Sequence, residues 1–347
     1  MANFMTVCRK ELGDQLGSKR YLMLFAMIVG LAVLSAYQGS AYIRDNSNAS
    51  FMSIFSGSAG GFSFISLMVY FGPIIGLALG FDAINKERST GSLSVLLSQP
   101  IFRDSILNGK FLAGVAALAL LAGSTIGIMV GIAIPLLGFG PALADISRIG
   151  FFALFTILYL SFWLALSLLF STAIKKTTSS ILAAISAWLV FAFIIAIIAS
   201  LVANAVSPVS SPTGFATITI PGNRTSFGFG GNFTGGNVTQ FTPPDQNQTS
   251  GFMQQEQARS NIESTIQSIS PSYLYSQAAS TILGTTSSSD SLLGFINGGS
   301  GTPFRSLGTT QSITSCWPQV TAIAVGMVAC FVAAYMLFLR REIRAGG

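Results

Sequence analysis

The chain has 347 residues, 51% of them apolar and only 9% charged, with a net charge of +6 and no histidine. Soluble domains carry about 25% charged residues, so this composition, with a mean hydropathy of +0.65, excludes an ordinary soluble fold and points to lipid as the solvent. Imidazole metal ligands and histidine-based catalytic triads are excluded outright, and the modest positive charge fits basic residues flanking membrane spans better than nucleic-acid binding.

Residues 1–20 read as a cytoplasmic amphipathic interfacial helix. Phe4, Val7, Cys8, Leu12 and Leu16 follow helical spacing, with Arg9, Lys10 and Asp14 elsewhere on the surface. Such a helix lies in the headgroup layer; the plainer reading is a solvated lead-in. Twenty hydrophilic residues before a long apolar run argue against a cleaved signal peptide. The cysteines, Cys8, Cys316 and Cys330, show neither metal-type spacing nor a disulfide framework.

A helix needs roughly 20 apolar residues to cross about 30 Å of hydrocarbon. Six stretches qualify and contain no Asp, Glu, Lys or Arg: 21–43, 62–81, 111–137, 149–174, 181–206 and 320–339. Unpaired backbone groups are not tolerated in lipid, so these runs are helices; barrel strands would be shorter and would alternate in polarity. The expected fold is an all-α membrane protein. It has an amphipathic N-terminal interfacial helix, five transmembrane helices over 21–206, a large extracellular loop over 207–317, and a sixth transmembrane helix with a cytoplasmic tail over 318–347.

Two spans carry glycines four apart: Gly72, Gly76 and Gly80, then Gly123, Gly127 and Gly131. Small residues on one helix face let backbones approach closely. The contact is either packing within the chain or a sliding contact at a subunit interface or substrate path.

The connection 82–110 reads as a helix-turn-helix elbow. Leu93, Leu96 and Leu97 form an apolar stripe, and Pro100 interrupts the helix and can restart it. Asp82 and Glu87 sit where the second span leaves lipid, while Arg103, Asp104 and Lys110 offer charge to water or to a docked protein. The alternative is a plain loop.

The loop 207–317 begins with a segment rich in Gly, Ser, Thr, Asn and Pro, which buries too little apolar surface to fold alone. Ile262, Ile266 and Ile269, then Ser270–Pro271 and Tyr273–Leu274–Tyr275, predict one or two external helices packed on the outer mouth. A wholly disordered loop is the alternative.

Thirteen of the 18 Lys and Arg residues fall on one side of the predicted spans, in short segments, and five on the other. The excess marks the cytoplasmic side, so both termini are expected there, in a multi-pass protein of the cell membrane. The sequons at Asn48, Asn223, Asn232, Asn237 and Asn247 all fall on the opposite side, as possible N-glycosylation sites.

No span carries an ionisable residue, which argues against ion-coupled transport. Nor does the chain contain the G-x-x-x-x-G-K-[ST] loop that an internal ATPase needs. Uphill work must therefore come from a partner on the cytoplasmic side.

The elbow resembles the signature region of ABC-2 type permeases, roughly D-x-[IV]-x-x-E-x-x-x-G-[ST]-[LI]-x-x-[LI]-L-x-x-P-[IV]-x-R followed by G-K. Asp82, Ile84, Glu87, Gly91, Ser92, Leu93, Leu96, Leu97, Pro100, Ile101, Arg103, Gly109 and Lys110 match it. The whole layout resembles that family too, notably permeases of the nitrous oxide reductase maturation type. The resemblance implies a permease homodimer or pair working with an ABC ATPase subunit. ATP and Mg would sit on that partner, with no cofactor bound by this chain and no enzymatic activity of its own. It further implies that Asp82, Glu87, Gly91, Pro100, Arg103 and Lys110 belong to the ATPase-coupling region of an exporter. The outer loop departs from the family, being longer and more polar. Two other readings are a non-transporting membrane glycoprotein whose extracellular loop binds or anchors a partner, and an ATP-independent channel or carrier.

Overall fold

A computed structural model describes residues 4–46, 49–56, 63–89, 103–207, 246–284 and 314–340. Among them all regular structure is helical: α1 (Phe4–Leu16), α2 (Lys19–Asp45), α3 (Ser53–Ser56), α4 (Phe64–Gly80), α5 (Asn85–Ser89), α6 (Arg103–Leu137) and α7 (Leu143–Ala173). Then follow α8 (Thr177–Leu189), a π-helical turn (Val190–Ile194), α9 (Ile195–Val206), α10 (Gln246–Gln267), α11 (Pro271–Leu283) and α12 (Trp317–Arg340). Six helical stretches among the described residues are long and apolar enough to cross a membrane: α2, α4 with its extension to Glu87, α6, α7, α8 through α9, and α12. The third begins well before the predicted 111, because α6 already starts at Arg103. Gly109 and Lys110 therefore belong to a spanning helix rather than to a separate elbow.

The chain divides into two compact units, Met1–Ala192 with Ser270–Gly347, and Phe193–Ile269. In the second unit α9 packs against α10. Ile262 and Ile266 lie within α10, whereas Ile269 falls beyond it and is exposed.

In the first unit α7 is the central helix, contacting α4, α6, α11 and α12. Its approach to α4 is set by glycine. A Cβ on Gly72 would stand 2.9 Å from Leu160 Cδ2, one on Gly76 2.8 Å from Trp163 Cβ and 2.9 Å from the Leu160 carbonyl oxygen, and one on Gly80 2.8 Å from Ser167 Cβ. The first ladder is thus a packing seam within the chain. The second ladder has no such contact: among the described residues nothing lies within 4 Å of a Cβ added at Gly123, Gly127 or Gly131.

Polar side chains in this unit go to backbone carbonyls that helix irregularities leave open. Pro73 sits inside α4 and has no N–H to give the Val69 carbonyl. The Tyr159 hydroxyl donates to that carbonyl at 3.0 Å. At the π-helical turn, where the helical hydrogen-bond pattern changes, the Ser270 hydroxyl donates to the Phe191 carbonyl at 2.6 Å.

These contacts correct the expected position of α11. Two helices do form in the outer-loop sequence, but α11 packs into the bundle rather than on its mouth. Tyr275 is fully buried and its ring stacks on Tyr159, near the middle of α7, with centroids 4.2 Å apart. The Tyr275 hydroxyl is 2.9 Å from Thr156 Oγ1, and Ser272 Oγ is 3.1 Å from the Tyr159 hydroxyl. Pro271 at the first helical position loses no intrahelical bond. From there α11 runs toward the N-terminal end of α7. It stops at Gly284, whose φ of +70° suits glycine and whose added Cβ would meet Arg148 Nη1 at 2.7 Å.

Candidate functional site

The matched motif and the N-terminal helix meet at one end of the first unit. Local geometry explains how. After α4 the chain makes a turn over 81–84 and enters α5. The orphan N–H groups of that turn are taken by α7: those of Ile84 and Asn85 donate to Ser171 Oγ at 3.1 and 3.4 Å. The Phe81 carbonyl accepts from Ser180 Oγ at 3.1 Å. Ile84 packs with Leu107 of α6 and Phe338 of α12. The start of α5 is therefore held by three spanning helices.

On the other side, α1 lies along α6. Its apolar stripe is covered by protein: Cys8 is buried and Val7, Leu12 and Leu16 are half-buried, while Arg9, Lys10 and Asp14 are exposed. Gly109 permits the contact, since a Cβ there would stand 2.9 Å from Val7 Cγ1.

Lys110, one residue on, corrects the expectation that its charge faces water. Its side chain is 7% exposed, and its ammonium bonds Glu87 Oε1 of α5 at 2.8 Å and Glu11 Oε2 of α1 at 2.9 Å. One buried cation thus joins α1, α5 and α6. Removing one member of a buried ion pair costs about 3–5 kcal/mol, because the remaining charge stays buried without its partner. A second pair, Arg20 to Asp82 at 2.7 Å, ties the start of α2 to the turn that follows α4. Arg20 is 53% exposed there, so this pair is worth about 0–1 kcal/mol.

Of the residues singled out from the sequence, the structure brings together Asp82, Glu87 and Lys110. Arg103 opens α6, and its side chain lies outside the described residues, as do Gly91 and Pro100 altogether. Asn48, Asn223, Asn232 and Asn237 are also outside them, and Asn247 falls in the first turn of α10. Sequence reasoning missed Glu11, Arg20 and Ser171. A signal for Glu11 existed: it falls on the 4–7–8–11 stripe that is otherwise apolar, where a carboxylate needs a partner.

The chain matches the family described as "ABC-2 family transporter protein" over residues 5–343. It is similar to the "Probable ABC transporter permease protein NosY" of Stutzerimonas stutzeri, 31% identical over 194 residues, which cover 55% of this chain and 67% of that protein. The protein of the same name from Pseudomonas aeruginosa is 31% identical over 191 residues, covering 54% and 66%. The matched region spans about two-thirds of each relative's length.

Proposed function

This chain belongs to the ABC-2 family of membrane transporter proteins, and on that premise we propose that it is the permease subunit of an exporter driven by a separate ABC ATPase. The observation that carries the proposal is the Lys110 junction. The same buried ammonium holds Glu87 of the matched motif and Glu11 of the N-terminal helix. A push on α1 or α5 is then delivered to α6, and through Ser171 to α7.

In this reading the junction faces the cytoplasm of a cell membrane, with both termini on that side. The partner ATPase carries ATP and Mg and docks against α1 and the segment 82–110. A second permease subunit completes the transporter. Family membership and the basic residues on this side support these assignments.

The test is co-expression with ABC ATPases of the same cell, followed by affinity purification through this chain. A bound ATPase whose ATP turnover depends on the permease is expected. Glu87→Gln should keep the complex assembled and lower the substrate moved per ATP. Transport by this chain alone in liposomes, unaffected by ATP, would overturn the proposal.

A further inference from the structure

Asn85 is the first residue of α5 and is 1% exposed. Its Nδ2 and its Oδ1 are both buried, and neither has a hydrogen-bond partner among the described residues. An asparagine amide brings two donors and an acceptor with two lone pairs, all of which water satisfies when the side chain is exposed. Here the water is gone and no protein group replaces it. No ligand reaches the amide in this conformation either, because neither atom presents surface to solvent. The cavity of about 260 Å³ beside the Lys110 junction is lined by Asp82, Ala83, Lys86 and Glu87 but not by Asn85, so the side chain between them is turned away from it.

The orphaned amide sits where α5 docks on α7. Ser171 Oγ accepts from the Ile84 N–H at 3.1 Å and from the Asn85 N–H at 3.4 Å, the second beyond the usual range for such a bond. With five residues, α5 is too short to hold its shape without these contacts. The packing of Ile84 and the ion pair of Glu87 favour the docked position. The amide opposes it, by about tenfold or more in the docking equilibrium. In a position lifted from Ser171 the amide regains water. Unpaired groups of this kind persist where a segment has two positions to choose between. We propose that Asn85 is a release element: its orphaned amide keeps the start of α5 poised between this docked position and a lifted, hydrated one, so that α5 engages α7 fully only when the partner subunit holds it down. The inference rests on the reading of α5 as part of the relay, whereas the loosening itself is a property of this chain alone.

The experiment is hydrogen exchange on the full chain in detergent, resolved to single amides by mass spectrometry, for wild type and Asn85→Leu. Leucine keeps the size of the side chain and removes the orphaned groups. The reporter is the Ile84 amide, whose intrinsic rate is independent of side chain 85. The control is Ser180, fully buried like Ile84, whose N–H donates to the Lys176 carbonyl at 3.0 Å and whose hydroxyl bonds the same turn. After correction for intrinsic rates, Ile84 should exchange at least about tenfold faster than Ser180 in wild type. Asn85→Leu should slow Ile84 about tenfold and leave Ser180 within about twofold. Faster exchange of Ile84 in the variant would mean that the amide was bonded after all, and equal slowing of both amides a general stabilisation. Either result overturns the proposal, as does a wild-type Ile84 as protected as Ser180. Should the leucine variant not fold, Asn85→Ala removes the same groups and takes its place. The ATPase recovered by co-expression should slow Ile84 in wild type and add nothing in the variant; binding that leaves wild-type Ile84 unprotected overturns the engagement step. If no ATPase binds, the proposed transport function fails, and the contrast between Ile84 and Ser180 still decides whether Asn85 loosens α5.

Discussion

Replacing Lys110 by methionine keeps most of the side-chain stem and removes the one charge that Glu11 and Glu87 share. At 2.8 and 2.9 Å, each attraction is worth about 6 kcal/mol gross at the effective dielectric of a protein surface. Desolvating the ammonium takes back several kcal/mol. The substitution leaves two carboxylates, each 18% exposed, without the ammonium they share. The expected cost is about 3–5 kcal/mol. In a detergent melt followed by tryptophan fluorescence, that lowers Tm by roughly 5–15 °C. The distinguishing result is rescue. Glu11→Gln with Glu87→Gln should recover at least about half of the loss in the Lys110→Met background, because it removes the repulsion that the first substitution exposes. If Lys110→Met melts within about 1 °C of wild type, or the triple variant is no more stable than the single one, the three charges do not form a buried cluster.

The two glycine ladders should respond oppositely. Gly76→Ala drives a methyl into the Leu160 carbonyl and Trp163 and should destabilise by about 1–3 kcal/mol; Gly127→Ala meets nothing among the described residues and should be neutral, or gain up to about 1 kcal/mol from helix propensity, both read as Tm in detergent. Tyr159→Phe leaves the Val69 carbonyl without the donor that Pro73 cannot supply, an expected loss of about 1–3 kcal/mol; a melt unchanged by it would show that another group satisfies that oxygen. Ser171→Ala removes the acceptor for the Ile84 and Asn85 N–H groups and should cost about 1 kcal/mol, with faster hydrogen exchange over 84–89 as the local readout.

The spans were legible because each is a long apolar run, and length and composition alone make such a run a helix in lipid. What the sequence concealed was which face of each helix meets protein. Gly72 and Gly123 open ladders of the same spacing, yet among the described residues only the first meets another helix. The difference lies in α7, whose Leu160, Trp163 and Ser167 fit the first groove. A pattern within one helix carries no information about its neighbour. The depth of α11 was hidden for a similar reason. Its Ser and Tyr residues look like surface composition. Yet Tyr275 and Ser272, with Ser270 at the cap, are buried partners of Thr156, Tyr159 and the Phe191 carbonyl, and these acceptors are distant in sequence. Lys110 was misjudged because a lysine at a span boundary ordinarily reaches water. Only the return of α1 along α6 places Glu11 over it.

The same contacts determine which helices the proposed relay would move together. α4 and α7 meet backbone to side chain along the glycine seam, with Gly76 against the Leu160 carbonyl and Ser167 Oγ donating to the Leu77 carbonyl at 2.8 Å. Close-packed, hydrogen-bonded pairs resist sliding, since small shifts meet hard repulsion. The tie between α5 and α6 is of another kind: the apolar contact of Ile84 with Leu107, and one flexible lysine stem ion-paired to Glu87 of α5 and to Glu11 of α1. The lysine stem is a flexible four-carbon chain, so its ammonium can follow its partners through small shifts. A displacement of α5 would therefore carry α4 and α7 as one body through Ser171, while α6 and α1 follow on a looser tether. The joint that can give under load is the Lys110 cluster, and the Gly72–Gly76–Gly80 seam is the one that cannot.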